Sequence, residues 1–295
     1  MRGRALAAAI TPLTDDGEID EDAFDPYVRF LADGGIDGIL ALGTTGEGVL
    51  YPPDERERIA RRYLQAAPEG FHVFVHCGAQ STRETVRLCA HASAAGADGV
   101  AVIGPPYFAF DERELLAHFL AAADACAPTP FYVYEFAARS GYAVPIAVIE
   151  QLRQRAPNLR GLKVSDAPFE AVRPYLLKGL EVFVGSEPLV LEGLTGGAAG
   201  AVSGLAAAFP SVASRLVHDR DPGAHEAVVR LRQAMAGVPF HAAIKTILQH
   251  RGVPVSTAVR RPLRGLAEDE RARVLLAAGR WARSTSVTGP PNAAT

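Results

Sequence analysis

Lysine is nearly missing from this chain. Of its 295 residues, 30 are Lys or Arg, and only three of those are lysines, at positions 163, 178 and 245. Cysteine is equally sparse: Cys77, Cys89 and Cys126 are an odd number with no CxxC spacing. That argues against a disulfide framework or a structural zinc site and fits a reduced, cytoplasmic compartment. The eight histidines show no HExxH or comparable metal spacing, so no metal is expected. A surplus of positive charge is also absent. The formal net charge is −3, and nucleic-acid binding ordinarily wants a basic face. No apolar run approaches the ~20 residues of a membrane span. The run Ala5–Ile10 ends at Thr11-Pro12, too short for a secretory leader. There is no GxGxxG after the first apolar run and no Walker A loop, so neither a dinucleotide nor another cofactor is implied.

What remains is an ordinary globular composition, 48% hydrophobic and 21% charged. The length allows one large domain or two ordinary ones, with a core that needs no covalent staple. Short, β-rich apolar runs recur at 5–10, 36–42, 71–77, 99–103, 131–135, 161–165, 181–185 and 199–203. Runs such as FHVFVHC and GVAVI are apolar at almost every position, as in parallel strands covered on both faces. Between them lie helical patterns. Phe24, Tyr27, Val28 and Leu31 share one helical face, and Ser81-x-x-Glu84 and Asp111-x-x-Glu114 have the form of capping boxes. Joints such as Asp33-Gly34-Gly35 close helices. Eight βα alternations predict a (β/α)8 TIM barrel over residues 1–220. A doubly wound sheet is the rival, and it lacks its glycine fingerprint. Residues 221–295 carry no further strand and read as a C-terminal helical extension. Two or three helices end near Trp281, a loose TGPPNAAT tail follows, and the extension is a candidate oligomer contact.

Catalytic groups of such barrels sit at the C-terminal ends of strands. Strand alternation sends Leu162 and Val164 outward and Lys163 into the barrel. A lysine there is costly unless neutral or paired, and a neutral amine attacks carbonyls to form a Schiff base. The plain alternative is a salt-bridged strand-end lysine. Lys178 reads as a surface residue, and Lys245 falls in the amphipathic HAAIKTIL. Tyr134 ends the fifth strand, where a phenol can carry protons; otherwise it is a core tyrosine. Gly43-Thr44-Thr45-Gly46-Glu47 follows the second strand and can offer N–H groups to a carboxylate. Tyr107 follows the fourth strand on a stiff Pro-Pro loop, and Arg139 is placed to clamp a carboxylate. His72 and His76 read as packing residues, and Arg260-Arg261-Pro262-Leu263-Arg264 as a solvated or interface turn.

In order along the chain, Ile10-Thr11-Pro12-Leu13, GTTGE at 43–47, PPY at 105–107, Tyr134, Arg139-Ser140-Gly141, Gly161-Leu162-Lys163 and the GAAGAVS run ending at Ser203 resemble the dihydrodipicolinate synthase / N-acetylneuraminate lyase family. These are Schiff-base, pyruvate-dependent lyases on a TIM barrel. The resemblance runs from residue 5 to about 280. It implies that Lys163 forms the imine with pyruvate or another 2-oxo acid, and that Tyr134 is the acid/base. It also implies that Thr44 and Tyr107 complete a proton relay. In the family the second tyrosine comes from a neighbouring subunit, so a homotetramer or homodimer is implied. Gly43 and Thr45 are implied at the pyruvate carboxylate, with Val202 and Ser203 lining the pocket through their backbone. Arg139 matches the arginine of the synthases and points to condensation of pyruvate with aspartate semialdehyde, the 4-hydroxy-tetrahydrodipicolinate synthase reaction. The alternative is a 2-keto-3-deoxy sugar-acid aldolase or dehydratase. It is suggested by Glu135-Phe136-Ala137, where the family has Asn-x-Pro; an anionic Glu135 at the rim is expected to repel a second carboxylate. Pro53, Arg56 and Pro106 stand where lysine-inhibited relatives carry other residues, although Glu84 is kept. Little inhibition by lysine is expected.

Overall fold

Apolar residues on both faces make each of the eight strands a buried one, and together they close on themselves. The computed structural model describes residues 2–282. The strands are β1 (Arg4–Ala8), β2 (Gly38–Ala41), β3 (His72–His76), β4 (Gly99–Ile103), β5 (Phe131–Glu135), β6 (Leu159–Val164), β7 (Glu181–Val184) and β8 (Gly200–Ser203). All neighbours are parallel and in sequence order, with β1 paired to β8. The expected (β/α)8 barrel is the fold. β4 and β5 have the expected ends, and the other strand ends differ from expectation by at most two residues. The first strand stops at Ala8, before the Thr11-Pro12 pair, since proline has no N–H for a ladder.

The connecting helices are α1 (Phe24–Asp33), α2 (Pro53–Ala66), α3 (Thr82–Ala94), α4 (Glu112–Cys126), α5 (Ala137–Ser140), α6 (Ile146–Arg155), α7 (Phe169–Val172), α8 (Val190–Thr195) and α9 (Pro210–His218). Asp111 and Glu114 form the reciprocal capping box of α4, with bonds of 2.9 and 2.8 Å. Ser81 does only half as much for α3. Its hydroxyl accepts from the Glu84 amide at 3.2 Å, but the Glu84 carboxylate turns to the Ser81 hydroxyl instead of the backbone. Beyond Asp221, which caps the next helix through the Gly223 amide, come α10 (Pro222–Ala234), α11 (Phe240–His250) and α12 (Glu268–Ala282). The TGPPNAAT tail lies outside the described residues. Among those residues no helix is long and apolar enough to cross a membrane. The three cysteines are free and buried.

Alternation sorts the core into two shells. Leu6, Ala8, Leu40, Phe74, Ala101, Tyr132, Phe183 and Val202 fill the barrel, while Ile39, Val73, Val100, Val133 and Leu162 face the helices. Phe74, Tyr132 and Phe183 pack edge-on or tilted at 5.4–6.3 Å, and each buried ring stabilises by about 1.5–3 kcal/mol. Beneath them Glu181 accepts from Tyr132 at 2.9 Å and from Arg160 at 2.8 Å, and pairs with Arg4. That end of the barrel is sealed. Gly161 is required at its crossing of β7, because a Cβ there would meet the Glu181 carbonyl at 1.8 Å. The next inward position on β6 is Lys163, which stands on the aromatic floor.

Candidate active site

Lys163 pairs in register with Tyr134 on one side and Phe183 on the other. It is 7% exposed, and its Nζ lies 3.5 Å from the centre of the Tyr134 ring. Among the described residues no carboxylate forms an ion pair with it. Tyr134 is buried, and its hydroxyl is 3.1 Å from Thr44 Oγ1. Burial alone pushes this phenol up. The Lys163 charge and hydrogen bond, with further bonds from Thr44 and Ser165, more than offset that and hold it below the usual phenol range. Amine, phenol and hydroxyl therefore form one connected chain.

These groups open into a cavity of about 390 Å3 at the C-terminal end of the barrel. Gly43, Thr44 and Thr45 form one wall, and Val202 and Gly204 another. The Ser203 side chain does not join them. It is the outward residue of its strand, and its hydroxyl donates to buried Glu187 at 2.8 Å. Arg139, on α5, also lines the cavity, with its guanidinium 5.5 Å from the Phe136 ring and no ion-pair partner among the described residues. Tyr107 is not brought to the site. It is 88% exposed, at φ +85°, and among the described residues its ring meets only Phe108, edge-on at 5.0 Å. One chain thus assembles Lys163, Tyr134, Thr44, Thr45 and Arg139, and leaves Tyr107 in solvent.

Glu135 corrects an expectation. Alternation that points Tyr134 inward points Glu135 outward, so it faces neither the cavity nor a substrate. It is fully buried and accepts from the Val144 amide at 2.8 Å. Burial, helped by neighbouring Asp166, raises its carboxyl to about 8. Asp166 in turn accepts from the Ala137 amide at 3.0 Å. The two acids grip the segment that carries Arg139. In the 260–264 segment Arg261, Pro262 and Arg264 are exposed, while Arg260 turns inward to pair with Glu55 and packs 4.7 Å above the Tyr51 ring.

Several contributors were not foreseen. Ser165 lines the cavity two residues after Lys163, where the same alternation predicts it. Ser186 lies nearby. Arg232 from α10 is held by Glu187 through bonds of 2.7 and 3.0 Å and lies 4.4 Å above the Phe240 ring. His241 from α11 bonds the Thr44 carbonyl at 2.9 Å. Lys245 is fully buried, 2.6 Å from Glu47 of the 43–47 turn. Burial pushes its ammonium down and Glu47 opposes that shift. His76 is neutral: burial, with Arg56 and Lys163 nearby, lowers it to about 3, and its Nδ1–H donates to the Leu42 carbonyl at 3.1 Å.

The chain was compared with known proteins. A family model described as the dihydrodipicolinate synthetase family matches residues 1–278. The 4-hydroxy-tetrahydrodipicolinate synthase of Synechococcus sp. (strain WH7803) is 32% identical over 273 residues, covering 86% of this chain and 87% of that protein. The N-acetylneuraminate lyase of Mus musculus is 33% identical over 210 residues, covering 68% and 65%. The crystal structure of YagE, a prophage protein from E. coli K12 of the dihydrodipicolinic acid synthase family, in complex with pyruvate, superposes with a TM-score of 0.90. It shares 26% identity, over 95% of this chain and 98% of that one.

Proposed function

The chain belongs to the dihydrodipicolinate synthetase family of lyases and synthases, and from that membership we propose that Lys163 condenses with the keto group of pyruvate or a related 2-oxo acid. The single observation that carries the reading is a buried lysine with no carboxylate partner, 3.5 Å from the ring of a phenol held below its usual range. Nζ adds to the keto carbon, Tyr134 delivers a proton to the departing oxygen, and water leaves as the imine forms. Loss of a C3 proton gives the enamine, which adds to an aldehyde; water then releases the product and regenerates the amine. Thr44 passes protons to and from Tyr134. The Gly43–Thr45 turn faces the 2-oxo acid's carboxylate. A second copy of the chain supplies Tyr107, which accounts for its exposure here, and makes the working unit a homodimer or homotetramer in the cytoplasm.

Arg139, a cavity-lining cation with no ion-pair partner among the described residues, favours an aldehyde that carries its own carboxylate, with aspartate semialdehyde as the best candidate. Glu135 no longer opposes that choice, since it is buried behind Tyr134. A second reading is favoured by the hydroxyls of Ser165 and Ser186 in the cavity wall. They match the hydroxyls of a 2-keto-3-deoxy sugar acid, cleaved or dehydrated through the same imine.

Incubation with pyruvate and borohydride, followed by peptide mapping, tests the chemistry. The adduct is expected on Lys163. Labelling of Lys178 or Lys245, or none, overturns it. A panel of aldehydes and 2-keto-3-deoxy acids then separates the two substrates: turnover with aspartate semialdehyde alone sustains the first, and turnover with the sugar acids alone replaces it by the second.

A further inference from the structure

The turn that carries Thr44 and Thr45 does not hold its own shape. Leu42 and Glu47, which bracket it, lie at φ +59° and +58°, left-handed values that cost a non-glycine residue about 1–2 kcal/mol each. Gly48 follows with no room for a side chain, because a Cβ would meet the Leu42 carbonyl at 1.8 Å. Within the turn only two backbone bonds form, Glu47 N–H to Thr44 O at 3.1 Å and Gly48 N–H to Gly43 O at 3.3 Å. The rest of the support comes from outside. Thr11 donates to the Gly46 carbonyl at 2.7 Å, and His76 to the Leu42 carbonyl.

The closest grip comes from the C-terminal extension. His241 Nε2–H donates to the Thr44 carbonyl at 2.9 Å, while the hydroxyl of the same residue meets Tyr134. Lys245 sits 2.6 Å from Glu47 Oε1, and the Arg260 amide donates to Glu47 Oε2 at 2.6 Å. Lys245 also donates to the Ala258 carbonyl at 2.7 Å, so that one ammonium ties helix, turn and the segment before Arg260 together. Both side chains of the pair are 0% exposed. A buried ion pair is a poor means of adding stability, because desolvation consumes most of its attraction and apolar residues of like size do as well. What it supplies is a fixed relative position.

We propose that Lys245 and His241 are positioning residues for the imine chemistry, holding the Thr44–Thr45 turn in register with Tyr134 so that helix α11 is part of the active site. This rests on the reading of Lys163 as the imine-forming amine. Lys245 touches no substrate and acts only through Glu47; His241 acts through the Thr44 carbonyl.

Two variant sets test it, with melting temperature, kcat, KM for pyruvate and the rate of borohydride trapping on Lys163 all measured. Glu47→Gln/Lys245→Met removes both charges, leaving no buried ion unpaired, although the Ala258 carbonyl loses its Lys245 donor. It is expected to melt within a few degrees of the parent, yet to lose about 100-fold in kcat/KM, the scale of an ångström-sized misplacement. Trapping on Lys163 is expected to slow in parallel. His241→Ala is expected to lose about 10-fold, mainly in kcat, since Thr44 serves proton transfer. His241→Gln keeps an N–H at the Nε2 position and is expected to recover most of that loss. Wild-type kinetics in a folded double variant overturn the role of Lys245, and His241→Gln no better than His241→Ala overturns that of His241. If the double variant does not fold, the His241 pair decides. Failure of the underlying reading looks different: borohydride and pyruvate would leave Lys163 unlabelled in the parent protein itself.

Discussion

Two of the three lysines are buried, and their surroundings are opposite. Lys245 has a carboxylate at 2.6 Å and a carbonyl at 2.7 Å, and no free face. Lys163 has an aromatic ring on one side, an open cavity on the other, and no carboxylate partner among the described residues. Burial is common to both and so does not make a lysine reactive. The difference lies in what stands next to it. A carboxylate fixes the ammonium, whereas a phenol brought below its usual range can take and return a proton.

Exchange of each lysine for methionine is the sharpest way to break this contrast. Lys163→Met is expected to lower turnover by about 10^4-fold or more, as loss of a covalent catalyst does. Its stability should hold or rise, because a charge without a counter-ion leaves the interior. Circular dichroism melting beside an activity assay reads both. A large loss of stability would place Lys163 in the same structural class as Lys245 and erase the distinction.

Lys245→Met alone is expected to do the reverse. It strands the Glu47 carboxylate in a dry site, which costs about 3–5 kcal/mol. At the scale of this chain that is a fall in Tm of roughly 10 °C. A Tm within a few degrees of the parent at the same pH would show that Glu47 finds another partner, with Arg260 the nearest candidate.

The barrel was legible because its signal is local and repeated. Eight apolar runs at βα spacing, with the parity of each strand, were enough to put Lys163 and Tyr134 on the inside. The same parity rule, applied two residues further along, reaches Ser165, and applied one residue past Tyr134 it turns Glu135 outward. Glu135 was misread because a carboxylate next to an active-site residue in sequence suggests one next to it in space. The contacts of His241, Lys245 and Arg260 with the 43–47 turn were not legible. They join positions about 200 residues apart, and nothing in HAAIKTIL marks its lysine as buried beyond the rarity of lysine in this chain. The exposure of Tyr107 likewise has no local signature.

Glu135 and Asp166 extend the contrast to buried acids. Glu47 is matched by a cation, while Glu135 is matched mainly by a proton. A carboxyl raised to about 8 in the folded protein and near 4.5 when unfolded binds extra protons on folding between those values. Its contribution to stability is complete below the lower value and is lost as pH rises through about 8. Tm is therefore expected to decline from pH 6 to 9, by a few degrees for a group of this kind. Glu135→Gln, which still accepts from the Val144 amide, should flatten that decline. The charged and titratable groups around it are Asp166, Tyr142 and Tyr175. A variant whose slope matches the parent would assign the decline to one of them.

The smallest expected effect concerns a lysine that is not part of the chain. A second cavity of about 490 Å3 adjoins the first, sharing Thr44, Tyr134, Arg139 and His241 with it. Pro53, Arg56, Glu84 and Pro106 line it. A free lysine entering there would bring an ammonium toward the buried Arg56 guanidinium, which is already committed to the His76 and Gly78 carbonyls at 2.8 and 2.9 Å. Glu84 offers the only matching charge among those four, and its carboxylate is bonded to the Ser81 hydroxyl. Neither environment that holds a lysine in this protein is free there: Glu47 is already taken by Lys245, and Tyr134 by Lys163 and Thr44. Free lysine at millimolar concentration is therefore expected to change the initial rate by less than about 2-fold, a difference under 0.5 kcal/mol. Tight inhibition would mean that Glu84 leaves Ser81 to pair with the ligand, and Glu84→Gln should then abolish it.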